Sequence, residues 1–188
     1  MISERRSSTR FTAAAVAVAG GLIALAPAVA EASPAITAPT VPAELAVPAG
    51  NHVSARYDAV GFQVYECGAA GTWTLHAPKA RLSARGDIGV HFGGIDAGLP
   101  AGPYWQSLRD RSRVHGGGAV SSTSRDGAVP LLRLTGLDST GTGVFSGVTY
   151  IHRLNTIGGV APATPCDPAD KSFKNVYYSA TYYFYQKD

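Results

Sequence analysis

Five histidines, His52, His76, His91, His115 and His152, are the side chains best suited to proton or metal chemistry. No two of them stand in a short ligand spacing such as H-x-H or H-x-x-x-H. Cys67 and Cys166 lie far apart, with no C-x-x-C. A zinc-type motif is therefore absent, and neither a metal nor a cofactor is expected. A serine nucleophile would need a base and an orienting group. Ser146 sits in Val144-Phe145-Ser146-Gly147, which lacks the first glycine of G-x-S-x-G. Asp110, Asp126 and Asp138 occupy turn-like contexts, where Asp bonds its own backbone, and no carboxylate pair is marked for acid–base work. Gly141, Gly143 and Gly147 miss the dinucleotide fingerprint by one residue. Strand-like sequence follows them, so no helix N-terminus would receive a phosphate.

Binding side chains are easier to nominate than catalytic ones. His91 ends an apolar run and meets Gly93-Gly94, and such strand-to-loop junctions often carry sites. Trp105 follows a Gly- and Pro-rich loop. Tyr150, His152 and Arg153 share an unusually polar strand, with Tyr150 and His152 on one face and Arg153 on the other by period-2 alternation. We expect His91, Trp105, Tyr150, His152 and Arg153 to meet around a polar concavity that binds a ligand.

The elements that must position them are short strands. Val60–Cys67 alternates, Gly68-Ala69-Ala70-Gly71 turns, and Thr72–His76 continues, which reads as a hairpin ended by Pro78. Further strands are expected at Ile88–Phe92, Val114–Ser121, Leu131–Leu137 and Gly143–Leu154, with Gly116–Gly118 breaking or bulging one of them. Val176–Tyr185 carries the strongest strand signal. Its even face (Val176, Tyr178, Ala180, Tyr182, Phe184) is the expected core, and its odd face (Tyr177, Ser179, Thr181, Tyr183, Tyr185) a possible groove lining. No helical periodicity follows the N-terminal region. The expected fold is all-β: a single-domain antiparallel β-sandwich, with a flattened β-barrel as the alternative.

The first residues look like an export signal. Arg5, Arg6 and Arg10 precede an apolar run over residues 13–26, and A-x-A patterns place cleavage after Ala30 or Ala32. The run is too short to span a bilayer and stops at Pro27, so no transmembrane anchor is expected. Removing residues 1–30 leaves 13 basic and 12 acidic side chains, a net charge of about +1. The densest basic cluster, Arg109, Arg111 and Arg113, is interrupted by Asp110, and no nucleic-acid partner is expected. Residues 31–52 read as a Pro- and Ala-rich linker packed against nothing, and residues 53–188 as the β domain. An even cysteine count in an exported chain predicts a Cys67–Cys166 disulfide.

Several motifs are similar to those of the secreted family called domain of unknown function 3455. They are Gly61–Cys67, Gly71-Thr72-Trp73, Ala77–Ala80, Val90–Gly94, Gly143–Pro162, Cys166-Asp167 and Tyr178–Tyr185, together spanning about residues 53–186. The chain departs from that pattern in an inserted segment, Ile95–Tyr104, and in His152 where glutamine is common. The resemblance implies an exported β domain and brings no activity with it. The function expected is a non-catalytic extracellular or cell-envelope binding module for a small ligand or an envelope polymer. A secreted hydrolase and a purely structural secreted protein are the alternatives.

Overall fold

Apolar and polar side chains alternate along β1 (Asn51–Cys67), and the apolar set decides which face turns inward. Ala55, Tyr57, Ala59, Gln63 and Tyr65 are buried, while Val60 and Phe62 point to solvent. The computed structural model describes residues 35–188. The expected signal peptide, with its cleavage sites, and the linker as far as residue 34 lie outside the described residues.

Seven further strands follow β1. They are β2 (Trp73–Ala84), β3 (Asp87–Gly93), β4 (Pro103–Ser107), β5 (Arg113–Ser122), β6 (Leu131–Thr140), β7 (Tyr150–Gly158) and β8 (Phe173–Lys187). Each pairs antiparallel with the next, and β8 returns to β1, so the sheet closes on itself. The all-β antiparallel expectation holds, and of its two arrangements the strand order is the barrel. Among the described residues, no helix is long and apolar enough to cross a membrane.

Three strand expectations need correction. Pro78 does not end β2; the strand runs through it. Pro78 lies opposite Gln63, next to a register shift at Val64/Tyr65, and an irregular ladder tolerates the missing N–H. Gly143–Thr149 is turn rather than strand, and β7 begins only at Tyr150. The segment read as an insertion leads into β4, which pairs with both β3 and β5. Gly116–Gly118 does break β5, with register shifts after His115 and after Gly117.

The barrel has two unlike ends. Near the start of β1, the turn between β6 and β7 drives Phe145 inward. Its ring is fully buried, 5.4 Å from Tyr57 and 4.6 Å from Phe184. Leu82, Val114 and Ile151 complete this plug. Beyond it, Tyr178, Ala180, Tyr182 and Phe184 of β8 face inward as expected. The odd face of β8 forms no continuous groove, because Tyr177 is exposed while Thr181 and Tyr185 are buried.

Cys67 and Cys166 stand at disulfide-bonding distance at the other end, with Cα atoms 5.9 Å apart. The bridge ties the segment before β8 to the end of β1. In the chain-entropy model a closed loop of 99 residues contributes at most about 4–5 kcal/mol.

The expectation that residues 35–48 stay clear of the domain is corrected. Leu45, in a 3-10 turn at Ala43–Leu45, is fully buried. Glu44 accepts a bond from Ser122 Oγ at 2.5 Å, and Arg133 donates to the Ala46 carbonyl. An apolar side chain with two polar fastenings beside it holds this strap to the outside of the barrel.

Candidate functional site

Cross-strand register builds the site. His91 of β3 lies directly opposite Trp105 of β4, and their rings stack with centroids 4.4 Å apart and planes 9° apart. Arg153 of β7 lies opposite Tyr182 of β8, whose ring meets both His91 and Trp105 edge-on. Gly116 makes room for the indole, since a Cβ there would come within 2.7 Å of it. Alternation along β7 turns Ile151 and Arg153 inward together.

These side chains line a cavity of about 490 Å³ at the unplugged end. Pro78, Leu132 and Leu134 supply apolar wall. Gly93, Gly94, Gly117 and Gly118 leave room where side chains would otherwise fill the barrel. Gln63 reaches in from β1 and is almost fully buried. The volume and the mixed lining suit a small organic ligand.

Two side chains with a standing charge, Arg153 and Glu66, lie in the lining. Arg153 forms no ion pair among the described residues. Its Nε and Nη2 donate to the Pro130 carbonyl at 3.2 and 3.0 Å. Tyr182 is a further side-chain hydrogen-bond partner of Arg153, which leaves two of the five N–H hydrogens without a protein partner. The one carboxylate in the lining, Glu66, stands at the mouth, where its oxygen is 3.4 Å from His76 Nδ1. His76 Nε2 lies 2.7 Å from Asp96 in the loop that follows β3. The bond with Asp96 raises the His76 pKa above the ordinary histidine value. This pairing fastens the loop beside the opening.

His91 behaves differently. Its Nδ1 donates to the Tyr104 carbonyl at 2.8 Å. Burial pushes its pKa down to about 3, the Arg153 charge adds to the shift, and the Tyr104 bond opposes it. The ring is therefore neutral, with Nε2 its only acceptor. Burial also raises Tyr182, opposed by the nearby Arg153 charge.

Two buried side-chain polar atoms lack a hydrogen-bond partner among the described residues, Gln63 Nε2 and Trp105 Nε1. Both residues line this cavity. An orphaned buried donor is costly and calls for an explanation.

Of the five residues expected to converge, the structure brings together His91, Trp105 and Arg153. It separates Tyr150 and His152, and the physical reason is the alternation itself. Both sit on the outward face of β7, opposite to Arg153. His152 is buried beneath the strap: its Nε2 donates to the Leu45 carbonyl at 2.7 Å, and its Nδ1 accepts from Tyr185 Oη at 3.0 Å. Tyr150 is half-buried on the outside, with Arg133 over its ring at 5.7 Å. Gln63 and Tyr182 were missed as cavity residues. Gln63 left a signal, being the one amide in the otherwise apolar inward set of β1. Tyr182 was assigned to the core face, where its ring does lie, and its edge also borders the cavity.

The structure thus defines an eight-stranded antiparallel barrel, plugged at one end and hollow at the other. A family model described as protein of unknown function (DUF3455) matches residues 86–186, and the chain belongs to that family. No curated protein and no solved structure matches it. The matched span runs from β3 through most of β8 and includes His91, Trp105, Arg153 and Tyr182.

Proposed function

We propose that this chain is an exported binding module that takes a small organic ligand into the open half of its barrel. The observation that carries the reading is the pair of orphaned donors, Gln63 Nε2 and Trp105 Nε1, beside an unpaired guanidinium in one cavity. A structural barrel of this size would fill its interior with side chains, as the plugged end does. A polymer-binding surface would display aromatics together outside. Here the tail tyrosines are dispersed and the aromatic cluster lies inside. Export rests on the N-terminal signal pattern, and a Cys67–Cys166 bridge fits an oxidising compartment.

The test uses the neutral fluorophore N-phenyl-1-naphthylamine. The mature domain should take it up one-to-one with enhanced emission. Leu132→Trp, which fills the cavity from its wall, should abolish uptake while circular dichroism stays unchanged. No uptake by the wild type, or uptake indifferent to Leu132→Trp, overturns the reading. On export, the mature chain should begin just after Ala30 or Ala32.

A further inference from the structure

We propose that the ligand of this cavity is a hydrophobic carboxylic acid, bound as its anion with the carboxylate on Arg153 and the apolar body against the wall of Pro78, Leu132 and Leu134. The inference rests on the small-ligand reading above and adds the chemistry of the ligand. Three protein groups point to it, and all three are donors. Arg153 keeps two of its five N–H hydrogens without a protein partner after Pro130 and Tyr182. Trp105 Nε1 can only donate, and Gln63 Nε2 is unpartnered as well.

A site with donors to spare selects an acceptor, and a guanidinium without a carboxylate selects a negative one. The planar fork of arginine matches two carboxylate oxygens, giving charge-assisted bonds. The grip of Nε and Nη2 on the Pro130 carbonyl holds that fork in place before any ligand arrives.

The rest of the lining says what the anion must carry. Pro78, Leu132, Leu134 and the stacked His91–Trp105 pair are apolar or uncharged walls. A small, fully hydrated anion would leave those walls unmatched. Glu66, at the mouth, disfavours a second negative charge there. A monoanion with an apolar body satisfies both ends.

The body could be aromatic or aliphatic, and the experiment separates the two. The probes are 2-naphthoate and decanoate, each beside its uncharged counterpart, 2-naphthalenemethanol and 1-decanol. Each is titrated into the mature domain at neutral pH against bound N-phenyl-1-naphthylamine. At least one acid should displace the fluorophore tenfold or more better than its alcohol. The acid with the larger preference identifies the body. Arg153→Gln should erase the preference by weakening the acid at least tenfold more than the alcohol.

Comparing acid with alcohol needs no substitution, so the inference stays falsifiable if Arg153→Gln does not fold. Equal displacement by acid and alcohol in the wild type overturns it and leaves the small-ligand reading intact. Failure of the fluorophore to bind at all removes the small-ligand reading first. A preference that survives in folded Arg153→Gln overturns the assignment to Arg153.

Discussion

The two ends of the barrel meet the same problem, polar atoms inside a closed sheet, in opposite ways. At the plugged end the groups are paired. Tyr57 Oη donates to Asp87 at 2.5 Å. Asp110 accepts from Ser112 N at 2.8 Å, Ser112 Oγ at 2.6 Å and Val144 N at 2.9 Å. Ser112 Oγ in turn accepts from Phe145 N at 3.0 Å. At the open end Gln63 and Trp105 keep donors without partners, and Arg153 keeps a charge without a counter-ion. Size does not separate the two. A shallower groove of about 720 Å³ lies over the plug, and most of its charged groups are occupied: Arg56 with Asp58, Arg109 with the Gly86 carbonyl, Asp87 with Tyr57 and Asp110 with Ser112, leaving Arg85 on the surface. Unmet hydrogen bonds on buried groups, rather than volume, distinguish the open end.

The largest effect should come from breaking the plug. Phe145→Ala removes a fully buried ring packed on Tyr57 and Phe184. We expect a loss of about 3–5 kcal/mol in urea unfolding. Leu132→Ala, at the wall of an existing cavity, should cost clearly less. Equal costs at the two positions would erase the distinction between the ends.

Acid should act through the open end. His91 is held neutral with its pKa near 3, against about 6.5 in the unfolded chain. The unfolded state therefore binds the proton first. This contribution is complete above about pH 6.5 and erodes as pH falls, by about 1.4 kcal/mol per unit, until pH nears 3. Between pH 7 and pH 5 the wild type should lose about 2 kcal/mol more than His91→Gln. His152, also lowered by burial, adds a loss of the same sign to both proteins, so the difference isolates His91. Parallel pH profiles for the two proteins would show that His91 is not buried neutral.

How much of this could be read from the sequence depended on whether the signal was local. The even face of β8 was legible because five alternating positions carry apolar or aromatic side chains, four of them bulky. The cysteine pairing was legible because only two cysteines exist. The plug was hidden, since Gly143–Thr149 looks like a strand locally and only the closed barrel shows Phe145 entering it. β4 was hidden because five residues behind a Gly/Pro loop give too short a period to notice. At the site, alternation separated Arg153 from Tyr150 and His152 correctly. It could not say which face was interior, because the polar face of β7 became the buried one on the outside, beneath a strap that reads as linker. Gln63 was the neglected signal: an amide in an inward apolar stripe needs either a partner or a ligand.

The smallest expected effect tests the comparison most directly, because its sign differs between the ends. Removing a polar group that is fully bonded destabilises; removing one left orphaned does not. Gln63→Leu keeps the approximate volume and deletes an amide whose Nε2 has no partner. Stability should stay level or rise, by at most about 1 kcal/mol, as is common where a functional site holds strained or unsatisfied groups. The same kind of change at the plug, Ser112→Ala, deletes a hydroxyl that bridges Asp110 and Phe145 N, and should cost about 1–3 kcal/mol. Paired thermal and urea melts of both variants suffice. A loss at Gln63→Leu comparable to that at Ser112→Ala would mean that the amide is satisfied in solution, and that the open end is no less complete than the closed one.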